Sequence, residues 1–315
     1  MRTAHPQTIT IDPMGAAPTL ADLAEIWRFD LESRGRSPRT IRSYLETSDQ
    51  FIAWSEDNNV DTTAIEIHPA HIRGYVAWVV QTRSTSTARL RFRSLQQLFR
   101  FLVEEGNLPE SPMARLRAPA ADEKVVPVIP DEDLRKLIRT TRGDSFNDRR
   151  DRALILFLLD TGARIGEALS IRTDDVQLKG NAAVLVTGKG SRERWLPIGG
   201  EVGKAIGQYE IIRRGHEHAD REEFWISDRG RLTDSGVRQM LERRCERAGV
   251  PRVTPHQFRH SFAHAFLADG GNETDLMRLA GWSSRQMVSR YAASAGAERA
   301  RDAHREHSPV RRLLR

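Results

Sequence analysis

Cysteine is nearly absent from this chain: Cys245 is the single one among 315 residues. One thiol cannot build an internal disulfide framework, which excludes disulfide-rich extracellular scaffolds and favours a reducing cytoplasm. No apolar run approaches the roughly 20 residues of a membrane span. Residues 1–19 lack the apolar core of a signal peptide. The sequence therefore predicts a cytoplasmic protein with no membrane partner.

Negative charge is missing from Ile67 to Val103, where arginine recurs. The whole chain carries a net charge of +6. A solvated face normally mixes both signs, so an arginine-only stretch indicates a polyanionic partner. A basic surface without a partner is the alternative.

The sequence also has no acidic cluster suited to divalent ions, so we expect no metal site, no cofactor and no metal-dependent nuclease chemistry.

Length and apolar spacing predict two domains. Residues 1–18 look irregular, and residues 19–106 contain four or five amphipathic helices, which indicates a small helical domain. Prolines punctuate residues 107–128, which we interpret as a linker. Residues 129–300 would form a larger domain. Residues 301–315 form a basic tail that either docks on a partner or frays.

Arginines near helix starts are the predicted DNA contacts of the helical domain. Ser37 and Pro38 open a helix whose first turn holds Arg39 and Arg42, where the helix dipole disfavours positive charge. That conflict suggests an external anion, although exposed arginines are often only solubilising. The full predicted set is Arg39, Arg42, Arg83, Arg89, Arg91 and Arg93. Such residues suit phosphate-backbone contacts.

The larger domain should be mainly α with a small antiparallel sheet, an α+β fold. Residues 182–186 and 194–198 are rich in β-formers and flank a glycine-containing turn with Lys189 at its tip. The glycines would let the lysine approach a ligand closely, but a solvated hairpin lysine is the default alternative. The strand–GxxxxGK[ST]–helix pattern of a nucleotide-binding loop is absent.

A short helix is predicted at 163–169, with Arg164 at its start and Glu167 one turn on. Arg164 follows directly on an apolar helix, so it must find an anion or cost free energy. Glu167 could hold it in place. The alternative is a plain surface ion pair, which contributes little.

A helix should begin at Pro255, with Thr254 as its cap, and run to about Leu267. His256 and Arg259 then share a face near a helix start, where anions are favoured. Together they would suit a phosphodiester. His256, His260 and His264 could instead line up as metal ligands, but the glutamate of a zinc-protease helix is missing.

Tyr291 should lie at a core-facing edge, since a helix beginning near Ser284 places it one turn beyond Met287. A packed core tyrosine is the alternative. The set with chemical potential is Arg164, Lys189, His256, Arg259, Trp282 and Tyr291. Two guanidiniums and an indole N–H can hold phosphate oxygens, a tyrosine can attack phosphorus, and a lysine can protonate the departing oxygen. This route needs neither metal nor ATP.

In these residues the chain resembles the tyrosine recombinase (phage integrase) family. The Ala163–Glu167 box, Lys189, the His256–Phe262 box, Gly281–Trp282 and Tyr291 follow the family's order. The resemblance implies a helical core-binding (SAM-like) domain and a catalytic domain that clamp DNA. It also implies strand exchange through a 3′-phosphotyrosyl intermediate and a Holliday junction, within a tetramer whose C-terminal segment docks on a neighbour.

Two positions depart from the family pattern. Trp282 stands where many members have histidine, so phosphate donation survives there and proton exchange does not. Phe258 replaces the more usual leucine, which should affect only packing. His260 and Glu167 would be supporting residues. The short N-terminus suggests that no arm-type DNA-binding domain is present, which favours a simple recombinase.

The expected function is integration, excision or resolution of DNA, including that of mobile elements. The expected partners are a double-stranded recombination site, in the nucleoid of a prokaryote or on phage DNA, a tetramer of the chain itself, and an accessory directionality factor. A type IB-like topoisomerase and a non-catalytic DNA-binding accessory protein remain the alternatives.

Overall fold

The structure is a computed structural model that describes residues 17–120, 127–188, 190, 192–282, 284–285, 288, 304 and 310. The chain divides into two compact units, residues 1–124 and 125–315. Over the described ranges, none of the helices combines the length and the apolar character that crossing a membrane requires.

The first unit consists of helices that begin where hydroxyl side chains cap them. These helices are α1 (Leu20–Ser33), α2 (Pro38–Asp57), a 3-10 turn (Ala64–Glu66), α3 (Pro69–Thr82) and α4 (Thr85–Glu104). Thr19, Ser37 and Ser84 each accept a hydrogen bond from the backbone N–H three residues on. Each cap satisfies an N–H that the helix itself cannot, which fixes where the helix starts.

Aromatic rings fill the centre of this unit. Phe51 is fully buried and meets Tyr75 edge-on at 5.1 Å and Phe99 at 6.3 Å between ring centroids. Burying a side chain of this size stabilises the fold by about 1.5–3 kcal/mol. The helical domain expected from the sequence therefore has a core of its own.

The second unit contains seven described helices and two small sheets. The helices are α5 (Asp131–Arg139), α6 (Phe146–Thr161), α7 (Ile165–Leu169), α8 (Gly200–Arg213), α9 (Asp234–Ala248), α10 (Pro255–Ala268) and α11 (Glu273–Ala280), with a 3-10 turn at Thr173–Asp175. The strands are β1 (Val176–Gln177), β2 (Ala183–Thr187), β3 (Glu193–Pro197), β4 (Ile226–Ser227) and β5 (Gly230–Arg231).

The strands form one antiparallel sheet in the order β1-β2-β3 and a separate β4-β5 pair. In the β2-β3 hairpin, Val184 pairs with Leu196 and Val186 with Arg194. The prediction of a mainly helical fold with a small antiparallel sheet is confirmed. The second pair was not predicted, because strands of two residues are too short to show an alternating pattern.

Helix α6 is the centre of the second unit. Its Ala153, Leu154, Phe157 and Leu158 are fully buried, and it packs against α8 and α10. It ends at Gly162, whose φ of 58° lies in the left-handed region that glycine adopts without a steric penalty. The chain turns there into α7, so the end of α6 determines where Arg164 lies.

Candidate active site

Arg164 is the N-cap residue of α7, as the sequence predicts. Its Nη1 donates to Oε1 of Glu167 at 2.7 Å, and its backbone N–H donates to Oε2 at 2.9 Å. Glu167 is buried at 4 % exposure, whereas the Arg164 side chain is 44 % exposed. The pair is thus anchored at its acidic end and open at its basic end, which is more than a solvated surface pair.

The carboxylate of Glu167 also binds a second arginine. Arg194, on β3, donates from Nη2 to Oε2 at 2.9 Å and from Nη1 to Oε1 at 3.3 Å. Burial of the Glu167 carboxyl opposes its charged form, but hydrogen bonds from Arg194 and Arg164 outweigh that effect and lower its pKa. Glu167 therefore stays ionised between two cations.

Arg259, on α10, is buried at 4 % exposure and held by two backbone carbonyls. Its Nη1 donates to the oxygen of Gly162 at 2.7 Å, and its Nη2 donates to the oxygen of Ala280 at 2.6 Å. The first bond places Arg259 beside the loop that leads to Arg164. The second connects it to the end of α11, whose carbonyls form the negative end of the helix dipole.

Trp282 follows directly on the glycine cap of α11, where Gly281 has a φ of 62°. The indole is buried, and the Arg259 guanidinium carbon lies over its ring at 5.1 Å from the centroid. A cation over an indole face is attracted by the ring's quadrupole. Arg259 and Trp282 are 23 positions apart in the sequence, but they are neighbours in the folded chain.

His256 and His260 form a hydrogen-bonded pair on α10, with their Nε2 atoms 2.9 Å apart. Burial, followed by the charge of Arg259, lowers the pKa of His256. Burial, then His256 and Arg259, lowers the pKa of His260 to about 4. Both rings are therefore neutral at neutral pH, and a neutral imidazole can accept a proton.

The structure brings Arg164, Glu167, Arg259, Trp282 and the histidine pair into one region of the second unit. Lys189 and Tyr291 lie outside the described residues. Among the residues that are described, no three His, Cys, Asp or Glu side chains are grouped so that they could hold a metal ion.

The six arginines predicted to contact DNA belong to the first unit. Arg39, Arg42, Arg83 and Arg93 are exposed, and Arg89 is half-buried. Arg91 differs, because its Nη1 donates to the hydroxyl of Thr47 on α2 at 2.9 Å. Residues two apart on a helix do not share a face, so Arg91 cannot lie beside Arg89 and Arg93.

Arg194 is the site residue that sequence reasoning missed. The sequence predicted the strand that carries it but gave the arginine no role. A signal was present, since Arg194 alternates with Leu196 and Ile198, which are both buried. A charged residue on the buried face of a strand needs a partner, and Glu167 is that partner.

A family model described as "Phage integrase family" matches residues 127–298, more than half of the chain. The chain belongs to the tyrosine recombinase (phage integrase) family. A second model, described as "Phage integrase, N-terminal SAM-like domain", matches residues 23–106. Membership of this family favours the recombinase interpretation over the topoisomerase and accessory-protein alternatives.

Curated relatives agree with this assignment. Tyrosine recombinase XerC of Halalkalibacterium halodurans is 29% identical over 287 residues, covering 88% of this chain and 93% of the relative. Tyrosine recombinase XerD of Corynebacterium glutamicum is 29% identical over 279 residues, covering 83% and 90%.

Solved structures of two DNA-bound recombinases share the fold. XerH bound to a palindromic difH substrate aligns with a TM-score of 0.72 and 17% identity, covering 91% of this chain and 84% of that one. A lambda integrase tetramer bound to a Holliday junction aligns with a TM-score of 0.68 and 17% identity, covering 85% and 78%. At these identities the likeness concerns the fold alone.

Proposed function

We propose that this recombinase cuts and rejoins DNA at a specific site through a 3′-phosphotyrosyl intermediate. The observation that carries the proposal is the way its two arginines are fixed. Arg164 is anchored by the buried Glu167, and Arg259 is anchored by the carbonyls of Gly162 and Ala280. A guanidinium presents its N–H donors in a planar fork that matches the geometry of phosphate oxygens. Two such groups can grip the non-bridging oxygens of a phosphodiester.

In the proposed step the phenolic oxygen of Tyr291 attacks phosphorus. A P–O bond to tyrosine forms, and the bond to the 5′ oxygen of the next nucleotide breaks. Lys189 gives the leaving oxygen a proton, and His256 accepts the proton that the phenol loses. The neutral state of His256 fits that task, because its pKa is lowered. The phosphotyrosine bond keeps the energy of the broken bond, so resealing needs neither ATP nor metal.

Arg164 and Arg259 would stabilise the charge that develops on the pentavalent phosphorus. Because they are fixed before DNA arrives, they cost no reorganisation during the reaction. Each such donor contributes about 3 kcal/mol by analogy with an oxyanion-hole group. Trp282 would donate its indole N–H to a phosphate oxygen, and its stacking with Arg259 would keep the two side chains in a fixed relative position.

We also infer that the chain works as a tetramer on DNA and uses residues 301–315 to dock on a neighbouring subunit. An apolar cavity of about 630 Å³ supports this inference, with Leu134, Leu159, Phe262, Phe266 and Leu279 in its lining. An apolar cavity of this size suits a helix with aliphatic side chains. The exposed arginines of residues 19–106 would contact the DNA backbone, in the cytoplasm where that DNA lies. Directionality factors are further expected partners.

The decisive experiment uses a nicked suicide duplex taken from the DNA that flanks the gene. Wild-type protein should become covalently attached to it, and Tyr291→Phe should bind the duplex without attachment. An adduct with Tyr291→Phe would contradict the assignment. Relaxation of a supercoiled plasmid that lacks the site would instead favour a topoisomerase.

A further inference from the structure

Arg194 connects three elements of the active site. Its Nε donates to the carbonyl oxygen of Leu279, near the end of α11, at 3.0 Å. Its two terminal nitrogens bind the carboxylate of Glu167 on α7 at 2.9 and 3.3 Å. The residue itself lies on β3, paired with Val186 on β2, and its side chain is only 18 % exposed. One guanidinium thus joins the β2-β3 hairpin to two helices.

These contacts lie at the base of the hairpin turn. The backbone N–H of Gly188 donates to the carbonyl of Arg192 at 2.7 Å, which closes that base. A Cβ atom on Gly188 would come within 3.3 Å of Oε1 of Glu167 and 3.5 Å of Nη1 of Arg194. The turn therefore begins beside the Arg194–Glu167 pair, and Lys189 is the next residue of the chain.

The two helices also have other anchors. Helix α7 is also held by its buried Ala168 and Leu169, which belong to the hydrophobic core of the second unit. The end of α11 is held by Arg259, which binds Ala280. The hairpin reaches this region as a two-stranded extension, so losing the Arg194 contacts should disturb the hairpin first.

We propose that Arg194 is a positioning residue that holds the β2-β3 hairpin against α7 and α11, so that Lys189 can protonate the departing 5′ oxygen. This inference rests on the proposed function. Arginine suits the task and lysine does not, because only a planar guanidinium can bind a carboxylate with two nitrogens and a carbonyl with a third.

The test compares two suicide duplexes that differ in one atom. In the first, the scissile bond leads to the 5′ oxygen; in the second, sulfur replaces that oxygen. A thiolate leaves without a proton, so a defect in proton delivery disappears on the sulfur duplex. General acid catalysis contributes about 10²–10⁴-fold. We expect Arg194→Ala to cleave the oxygen duplex at least about 10²-fold more slowly than wild type, and the sulfur duplex within about tenfold of wild type.

Several variants make the result interpretable. Arg192→Gln removes a positive charge from the same hairpin without breaking these contacts, and should keep the wild-type ratio of sulfur to oxygen cleavage rates. Lys189→Ala tests whether the lysine itself is the general acid. If it is, this variant should cleave the oxygen duplex slowly and the sulfur duplex at close to the wild-type rate. Tyr291→Phe should give no adduct on either duplex. An adduct with this variant would contradict the proposed function, whereas the inference about Arg194 is tested by the cleavage rates of the two duplexes.

Equal slowing of Arg194→Ala on both duplexes would overturn the inference, because the residue would then support the nucleophile or the transition state instead. Wild-type rates would overturn it too. Rescue of Arg194→Ala without rescue of Lys189→Ala would also overturn the inference, because the acid that depends on Arg194 would then be a group other than Lys189. If a melting curve shows that Arg194→Ala is unfolded, Arg194→Lys takes its place, and a smaller loss confined to the oxygen duplex is expected.

Discussion

The arginines of the two units are held in opposite ways. In the helical unit Arg39, Arg42, Arg83 and Arg93 are exposed. In the catalytic unit Arg259 is buried at 4 % exposure and bound to two carbonyls. This difference indicates which task each group of arginines can perform. A charge that attracts a long polyanion needs only to be near it, whereas a charge that stabilises a transition state must be fixed in place beforehand.

The strongest way to break the fixed arrangement is to deform Gly162, whose carbonyl holds Arg259. A Cβ there would lie 2.3 Å from Cδ1 of Phe262, and its φ is 58°. Left-handed backbone costs an ordinary residue about 1–2 kcal/mol and overpacking adds about 1–3. We expect Gly162→Ala to lower the free energy of unfolding by about 2–5 kcal/mol, measured with urea, and to slow cleavage.

Gly249→Ala is the matched control for that substitution. Gly249 has a φ of 63°, caps α9 in the same way, and has open space where a Cβ would lie. It should lose only about 1–2 kcal/mol and cleave DNA normally. Equal losses in the two variants would show that the contact with Phe262 is unimportant.

The exposed arginines should affect DNA affinity and leave folding intact. Arg93→Ala should weaken binding and reduce the slope of log K against log salt by about 0.9, since one phosphate contact is lost. Arg91→Ala should instead lower stability by about 1 kcal/mol through its lost bond to Thr47, with an unchanged salt slope. Salt titrations and urea unfolding of both variants check this. A changed slope in Arg91→Ala would place that residue on the DNA.

A further expected effect concerns the pH dependence of stability. The pKa of His260 falls from 6.5 to about 4 on folding. Between those values the unfolded chain binds a proton that the folded chain does not, so stability falls as pH drops from about 6.5 towards 4. His260→Asn should lose less stability than wild type between pH 7 and pH 5 in urea unfolding. Identical pH dependence in both proteins would contradict a neutral His260.

Local contacts of the site could be predicted from the sequence, and distant ones could not. The Arg164–Glu167 pair and the start of α10 at Pro255 follow from helical spacing and capping chemistry. The bonds from Arg259 to Gly162 and from Arg194 to Leu279 join residues 97 and 85 positions apart. Those depend on how α6, β3 and α11 pack together, which no local pattern encodes.

Composition alone also cannot show which of the basic residues lie on the same face of a helix. Arg89, Arg91 and Arg93 look alike in a stretch without acidic residues. Only the helical position of Arg91 turns it towards Thr47 and away from its neighbours. A count of charges shows that a partner is negative, but the helix phase shows which charges can reach it.

The most direct test of the difference between fixed and exposed arginines measures two quantities for Arg259→Lys and Arg93→Ala: the Kd for the duplex, and the single-turnover cleavage rate at saturating DNA. We expect Arg259→Lys to cleave about 10²–10³-fold more slowly with a nearly unchanged Kd, and Arg93→Ala to bind more weakly but to cleave at the wild-type rate. A wild-type cleavage rate in Arg259→Lys would contradict this expectation.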